Sequence, residues 1–125
     1  MSSSELLPRF DRLYAISDLH IGGAEGARVF QGEDQFKVLI DDLIGKAKGE
    51  ERNRVALVLN GDTVDFLAID KPEPLLTPER ACEALEEMAE TSAERVFSAL
   101  SKFLSTERCT LVLTLGNHDV ELALP

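Results

Sequence analysis

Both histidines of this 125-residue chain, and four of its aspartates, fall in three short polar clusters. These are Ser17-Asp18-Leu19-His20, Asn60-Gly61-Asp62-Thr63-Val64-Asp65 and Gly116-Asn117-His118-Asp119. Carboxylate, imidazole and amide oxygen form a donor set suited to Mn²⁺, Fe or Zn²⁺, and less to Ca²⁺ or a thiolate-selected metal. In extended backbone Asp18 and His20 point the same way, because side chains alternate with period two. One carboxylate oxygen and one imidazole nitrogen then reach a single cation. Gly61 lets the chain turn sharply and exposes Asp62, whose two oxygens can bridge two cations. Asn117 offers a neutral amide oxygen to the second, with His118 beside it. Two cations roughly 3.5–4 Å apart clamp a phosphoryl group and acidify a water.

Each cluster also has an ordinary reading. Asp-x-His recurs in surface loops, and Gly-Asp after a strand is usually a turn. Gly-Asn-His-Asp serves equally as a loop leading into a helix, with Asn or Asp as its cap. Singly, each favours that reading. Together, in this order and each behind a strand, they point to one centre.

The elements that must position them are legible in the apolar pattern. Residues 12–17, 54–60 and 109–115 are near-continuous apolar runs, which predicts strands covered on both faces. Each polar cluster follows one of these runs. Over 34–48, Phe36, Leu39, Ile40, Leu43, Ile44 and Ala47 recur at steps of three and four, the mark of one buried helix face. A second helix is expected to start with Thr77 as N-cap and Pro78 at the first helical position. Its pattern continues to about 105 and buries Cys82, Leu85, Ala89, Val96, Leu100 and Phe103. The order is β-α-β-α-β, an α/β fold with a mostly parallel sheet and right-handed crossovers. In such a sheet the carboxyl ends of the strands share one edge, where ligands bind. No second domain boundary is visible, so residues 1–125 form one domain or part of one. The proline-rich stretch 70–78 is too stiff for a flexible linker. Glu79, Glu83, Glu87, Glu90 and Glu94 form an acidic stripe, read as a solvated helix face rather than a binding surface.

Composition sets the outer limits. Thirteen basic against 23 acidic residues give a net charge of −10. That argues against a sequence-independent grip on nucleic-acid phosphates or anionic membrane, which needs a basic surplus to displace counterions. No stretch approaches the roughly 18 apolar residues of a membrane span, and the first ten residues lack the pattern of a signal peptide. Cys82 and Cys109 match no metal or redox spacing and read as buried thiols, which predicts a cytoplasmic protein.

The three clusters, in order, resemble the motif blocks of the calcineurin-like metallophosphoesterase superfamily: Asp-x-His, Gly-Asp-x-x-Asp and Gly-Asn-His-Asp/Glu. The match spans Asp18 to Asp119. The resemblance implies that Asp18 and His20 hold a first metal, that Asp62 bridges both, and that Asn117 holds the second. It implies that His118 is the catalytic imidazole and Asp65 its orienting partner. Asp119 is left between a supporting and a capping role. Family members carry two later blocks, a lone His and a Gly-His-x-His, absent from these residues. The chain therefore resembles the N-terminal half of a metallophosphoesterase α/β sandwich. This implies weak metal binding, little or no activity for this portion alone, and exposed apolar surface that invites oligomerisation.

The expected substrate is a small phosphoester, with monoester, diester and pyrophosphate all open. Val64-Asp65-Phe66-Leu67 and Asp119 disfavour the protein Ser/Thr phosphatase branch. His118 stands where lipid-A pathway pyrophosphatases commonly carry Arg. A nuclease branch shares the Gly-Asn-His-Asp form, although the acidic balance disfavours nucleic acid for this portion. Residues 66–76 are expected to line the substrate entrance or to form a packed crossover. A non-catalytic α/β binding module with relic aspartates is the alternative from another class.

Overall fold

A computed structural model describes residues 8–21, 32–64, 77–90, 94–116 and 119. The chain alternates strands and helices: β1 (Arg12–Ile16), α1 (Glu33–Lys48), β2 (Val55–Asn60), α2 (Pro78–Glu90), α3 (Glu94–Leu104) and β3 (Cys109–Thr114). The strands form one open sheet in the order β1-β2-β3. Both pairings are parallel, with Arg12 opposite Val55 and Val55 opposite Cys109. This is the expected α/β fold, and the strand ends that precede the three polar clusters lie on one edge.

Local chemistry accounts for the helix limits. Glu33 and Asp34 open α1 while Lys46 and Lys48 close it, each charge opposing the partial charge of its helix end. Gly49 follows in extended backbone, its N–H donating to the Gly45 carbonyl at 2.9 Å. At α2 the Thr77 hydroxyl accepts the Arg80 N–H at 3.2 Å, the expected N-cap, with Pro78 at the first position. The single helix expected over 77–105 is two, α2 ending at Glu90 and α3 starting at Glu94. Periodicity reads straight through this join. The intervening Thr91-Ser92-Ala93, outside the described residues, carries two hydroxyl side chains of the type that favours helix starts over interiors.

One core lies between the helices and one face of the sheet. Ile40 and Leu43 of α1, Val96 and Phe103 of α3, and Val55, Leu57 and Leu59 of β2 are all buried in it. Tyr14, Ile16, Cys109 and Leu111 pack against it from the outer strands. A strand order that follows the sequence, with right-handed crossovers, places successive helices on the same face. The opposite face is therefore open at its margins: Leu13 is 62% and Val112 37% exposed. Only β2 is covered as continuously as the sequence suggests, while β1 and β3 alternate. Cys82, expected in the core, is exposed, and Cys109 is intermediate; both are free thiols. Burial pushes the Cys109 thiol above its ordinary value.

At the sheet's other edge Asp11 clasps the start of β2. Its carboxylate accepts the Arg54 backbone N–H at 2.8 Å and Nε at 3.2 Å. These bonds to Arg54 hold the Asp11 carboxyl below its ordinary value. Exposed ion pairs Lys102–Asp41 and Arg95–Asp34 join α3 to α1, a modest contribution at the surface.

Candidate metal centre

Backbone bonds carry the pairing of β1 and β2 past the ends of both strands. The N–H groups of Asp18, His20 and Ile21 donate to the carbonyls of Gly61, Asp62 and Thr63 at 3.2, 2.9 and 2.8 Å. Ile21 and Val64 then form a parallel bridge, and both side chains are buried. Two apolar anchors thus fix the loops that hold Asp18, His20 and Asp62 side by side. The third strand joins through Gly61, whose N–H donates to the Thr114 carbonyl at 3.0 Å. Above it the Thr114 hydroxyl donates to Asn60 Oδ1 at 2.9 Å.

The backbone here is not extended. Asp18, His20 and Asp62 adopt φ of 56°, 49° and 50°, and Gly61 80°. The left-handed region costs a non-glycine residue on the order of 1–3 kcal/mol, and such residues cluster at functional sites. Asp and His are among the types that best tolerate it. The alternation argument for Asp18 and His20 is therefore wrong in mechanism, since a strand's period does not apply at positive φ. The side chains nevertheless meet. Asp18 Oδ1 stands 3.8 Å from His20 Nε2, and one ligand atom from each of Asp18, His20 and Asp62 lies within 4.8 Å of the others.

Within this trio the Asp18–His20 pair satisfies a fit test for a divalent ion, and Asp62 stands close by. Two donors about 2.1 Å from one ion stand no more than roughly 4.2 Å apart, which the Asp18–His20 pair meets. The donor set, two carboxylates and an imidazole, is of mixed hardness and suits a first-row divalent cation. His20 is largely buried while Asp18 is open to solvent, so one wall is fixed and the mouth is wet.

Two residues shape the cradle in ways the sequence does not spell out. The position a Cβ on Gly116 would occupy is 2.1 Å from Asp62 Oδ1 and 2.7 Å from the Asp62 nitrogen. Only glycine leaves the Asp62 carboxylate room against the end of β3. Asp119 is fully buried and accepts the N–H of Thr63 at 2.6 Å and of Gly116 at 2.7 Å. Its place in the third cluster was a signal, but the amides it would bond were not readable. Of the sequence candidates, Asp18, His20 and Asp62 are brought together, while Asp65, Asn117 and His118 lie outside the described residues, as do residues 66–76.

No helix among the described residues is long and apolar enough to cross a membrane. No curated protein and no solved structure matches the chain. A family model does: that of the calcineurin-like phosphoesterases, over residues 11–124. With the ordered motif blocks and the Asp18, His20 and Asp62 cluster on the same strand edge, that match shows that the chain belongs to the calcineurin-like phosphoesterase family.

Proposed function

We propose that the chain is the part of a metal-dependent phosphoesterase that carries most of a dinuclear centre. Asp18 and His20 hold one divalent cation, Asp62 faces both, and Asn117 holds the other; Mn, Fe and Zn suit these donors. When bound, such cations supply the positive charge that polarises a phosphoryl oxygen and makes a water acidic enough to attack at neutral pH. The chain's own groups do the rest. His118 moves a proton at the leaving oxygen, and Asp65 fixes its tautomer and orientation. The substrate is a small phosphoester. Free Cys82 and Cys109 suit a reducing compartment, and we place the protein in the cytoplasm.

The carrying observation is the convergence of Asp18, His20 and Asp62 in a chain of this family. These residues hold only two histidines, both assigned above, whereas the family pattern asks for more. The domain is on this reading partial, with further imidazole ligands supplied from outside the 125 residues. Calorimetric titration with Mn²⁺ tests the reading. The chain is expected to take up Mn²⁺ with modest affinity and to cleave aryl phosphate mono- and diesters only near background. Asp62→Asn is expected to weaken Mn²⁺ binding beyond detection. Equal binding by that variant would remove the proposal.

A further inference from the structure

Asp119 has no exposure to solvent, and a buried carboxylate is costly unless its oxygens are bonded. Here each oxygen is taken by a different loop. Oδ2 accepts the Thr63 N–H at 2.6 Å, and Oδ1 accepts the Gly116 N–H at 2.7 Å. These short distances are those of charge-assisted bonds, about twice as strong as neutral ones. The two amides enclose Asp62. Thr63 follows it in sequence, and Gly116 is the surface on which its carboxylate rests, the Cβ position there being 2.5 Å from Asp62 Cγ.

We infer that Asp119 is a positioning residue that latches the Asp62 turn to the end of β3, and that Gly116 sets the direction in which the Asp62 carboxylate faces a cation. The inference rests on the reading of Asp62 as a metal ligand. An asparagine at 119 keeps one acceptor oxygen but turns an N–H₂ donor toward the other amide, so the latch opens on one side. Glutamate, one methylene longer, overfills a closed site. An alanine at 116 leaves Asp119 intact and displaces Asp62 directly.

The test measures Mn²⁺ affinity by calorimetry, the visible spectrum of the Co²⁺ form, and amide exchange of the metal-free chain. Wild type is compared with Asp119→Asn, Gly116→Ala and Leu43→Ala, the last a control in the buried core on α1. Loss of a residue that orients a ligand typically costs about 10–100-fold in affinity. Asp119→Asn and Gly116→Ala are each expected to weaken Mn²⁺ binding by that factor and to alter the Co²⁺ spectrum. Leu43→Ala is expected to lower stability with affinity and spectrum unchanged. In the metal-free chain the Thr63 and Gly116 amides are expected to be protected in wild type and to exchange faster in Asp119→Asn.

Unchanged affinity in a folded Asp119→Asn or in Gly116→Ala would overturn the inference. So would a matching loss of affinity in Leu43→Ala. Should Asp119→Asn fail to fold, Gly116→Ala decides. A wild type that takes up no Mn²⁺ would instead refute the metal reading, and the latch is then judged by amide exchange, where unchanged Thr63 and Gly116 rates would refute it too.

Discussion

Three of the residues that define the centre hold a backbone conformation most side chains resist. At φ of 50° Asp62 is tolerated because a short polar side chain fits the left-handed region. A β-branched residue is a steric outlier there. Substitutions at this position therefore probe two different things. Asp62→Asn changes the donor and leaves the backbone at ease, and its urea midpoint is expected to stay close to wild type. Asp62→Val adds strain on the order of 1–3 kcal/mol, so the midpoint is expected to fall as well. Equal midpoints for the two variants would show that the turn relaxes without cost. Sequence alone marked Asp18, His20 and Asp62 by type and order. It could not mark their conformation, because left-handed backbone follows from the hydrogen bonds between 18–21 and 61–64 rather than from any residue in isolation. Asp119 was ambiguous for the same reason, since one of the two amides it bonds, that of Thr63, lies far from it along the chain.

At the level of elements, end signals were more readable than joins. Thr77 and Pro78 announced the start of α2, and the Thr77 hydroxyl does accept the Arg80 N–H. Thr77→Ala is expected to cost about 1 kcal/mol of stability, seen as a lower denaturant midpoint with an unchanged slope. The division between α2 and α3 was missed because the apolar spacing from Cys82 to Phe103 stays in phase across it. Coverage of the sheet was misjudged because apolar runs in β1 and β3 look like those of β2, although among the described residues only the central strand has neighbours on both sides. The clasp at the start of β2 carries a pH signature. Arg54 holds the folded Asp11 carboxyl below its unfolded value, so the pair contributes stability above the ordinary carboxylate range. That contribution is lost as pH falls through the lowered folded value. Asp11→Asn is expected to be less stable than wild type at pH 7, with the difference vanishing in strong acid. A difference that survives there would assign the effect to packing instead of charge.

For the molecule as a whole, acidity and metal are linked. A chain of net charge −10 that gathers Asp18 and Asp62 within one cluster repels itself in the absence of a cation. Any ion bound only by the folded state stabilises it by mass action, about 2.7 kcal/mol at a hundredfold excess over Kd. Saturating Mn²⁺ is accordingly expected to raise the unfolding temperature by on the order of 10 °C, reversibly with chelator, and to leave Asp62→Asn unmoved. Three strands, parallel order and the shared edge were all legible from the placement of polar clusters behind apolar runs. That part of the reading survived because it depended only on where each run ends.

The strand order has a further consequence during synthesis. Because β1, β2 and β3 lie side by side in the order they are made, no strand leaves a gap for a later one to fill. Chains emerge from the ribosome amino end first, at about 5–20 residues per second. Asp18, His20 and Asp62 have all left the exit tunnel while Asp119 is still to come. The corner that gathers Asp18, His20 and Asp62 can therefore be assembled early in the nascent chain, and the Asp119 carboxylate that accepts the Thr63 N–H arrives later.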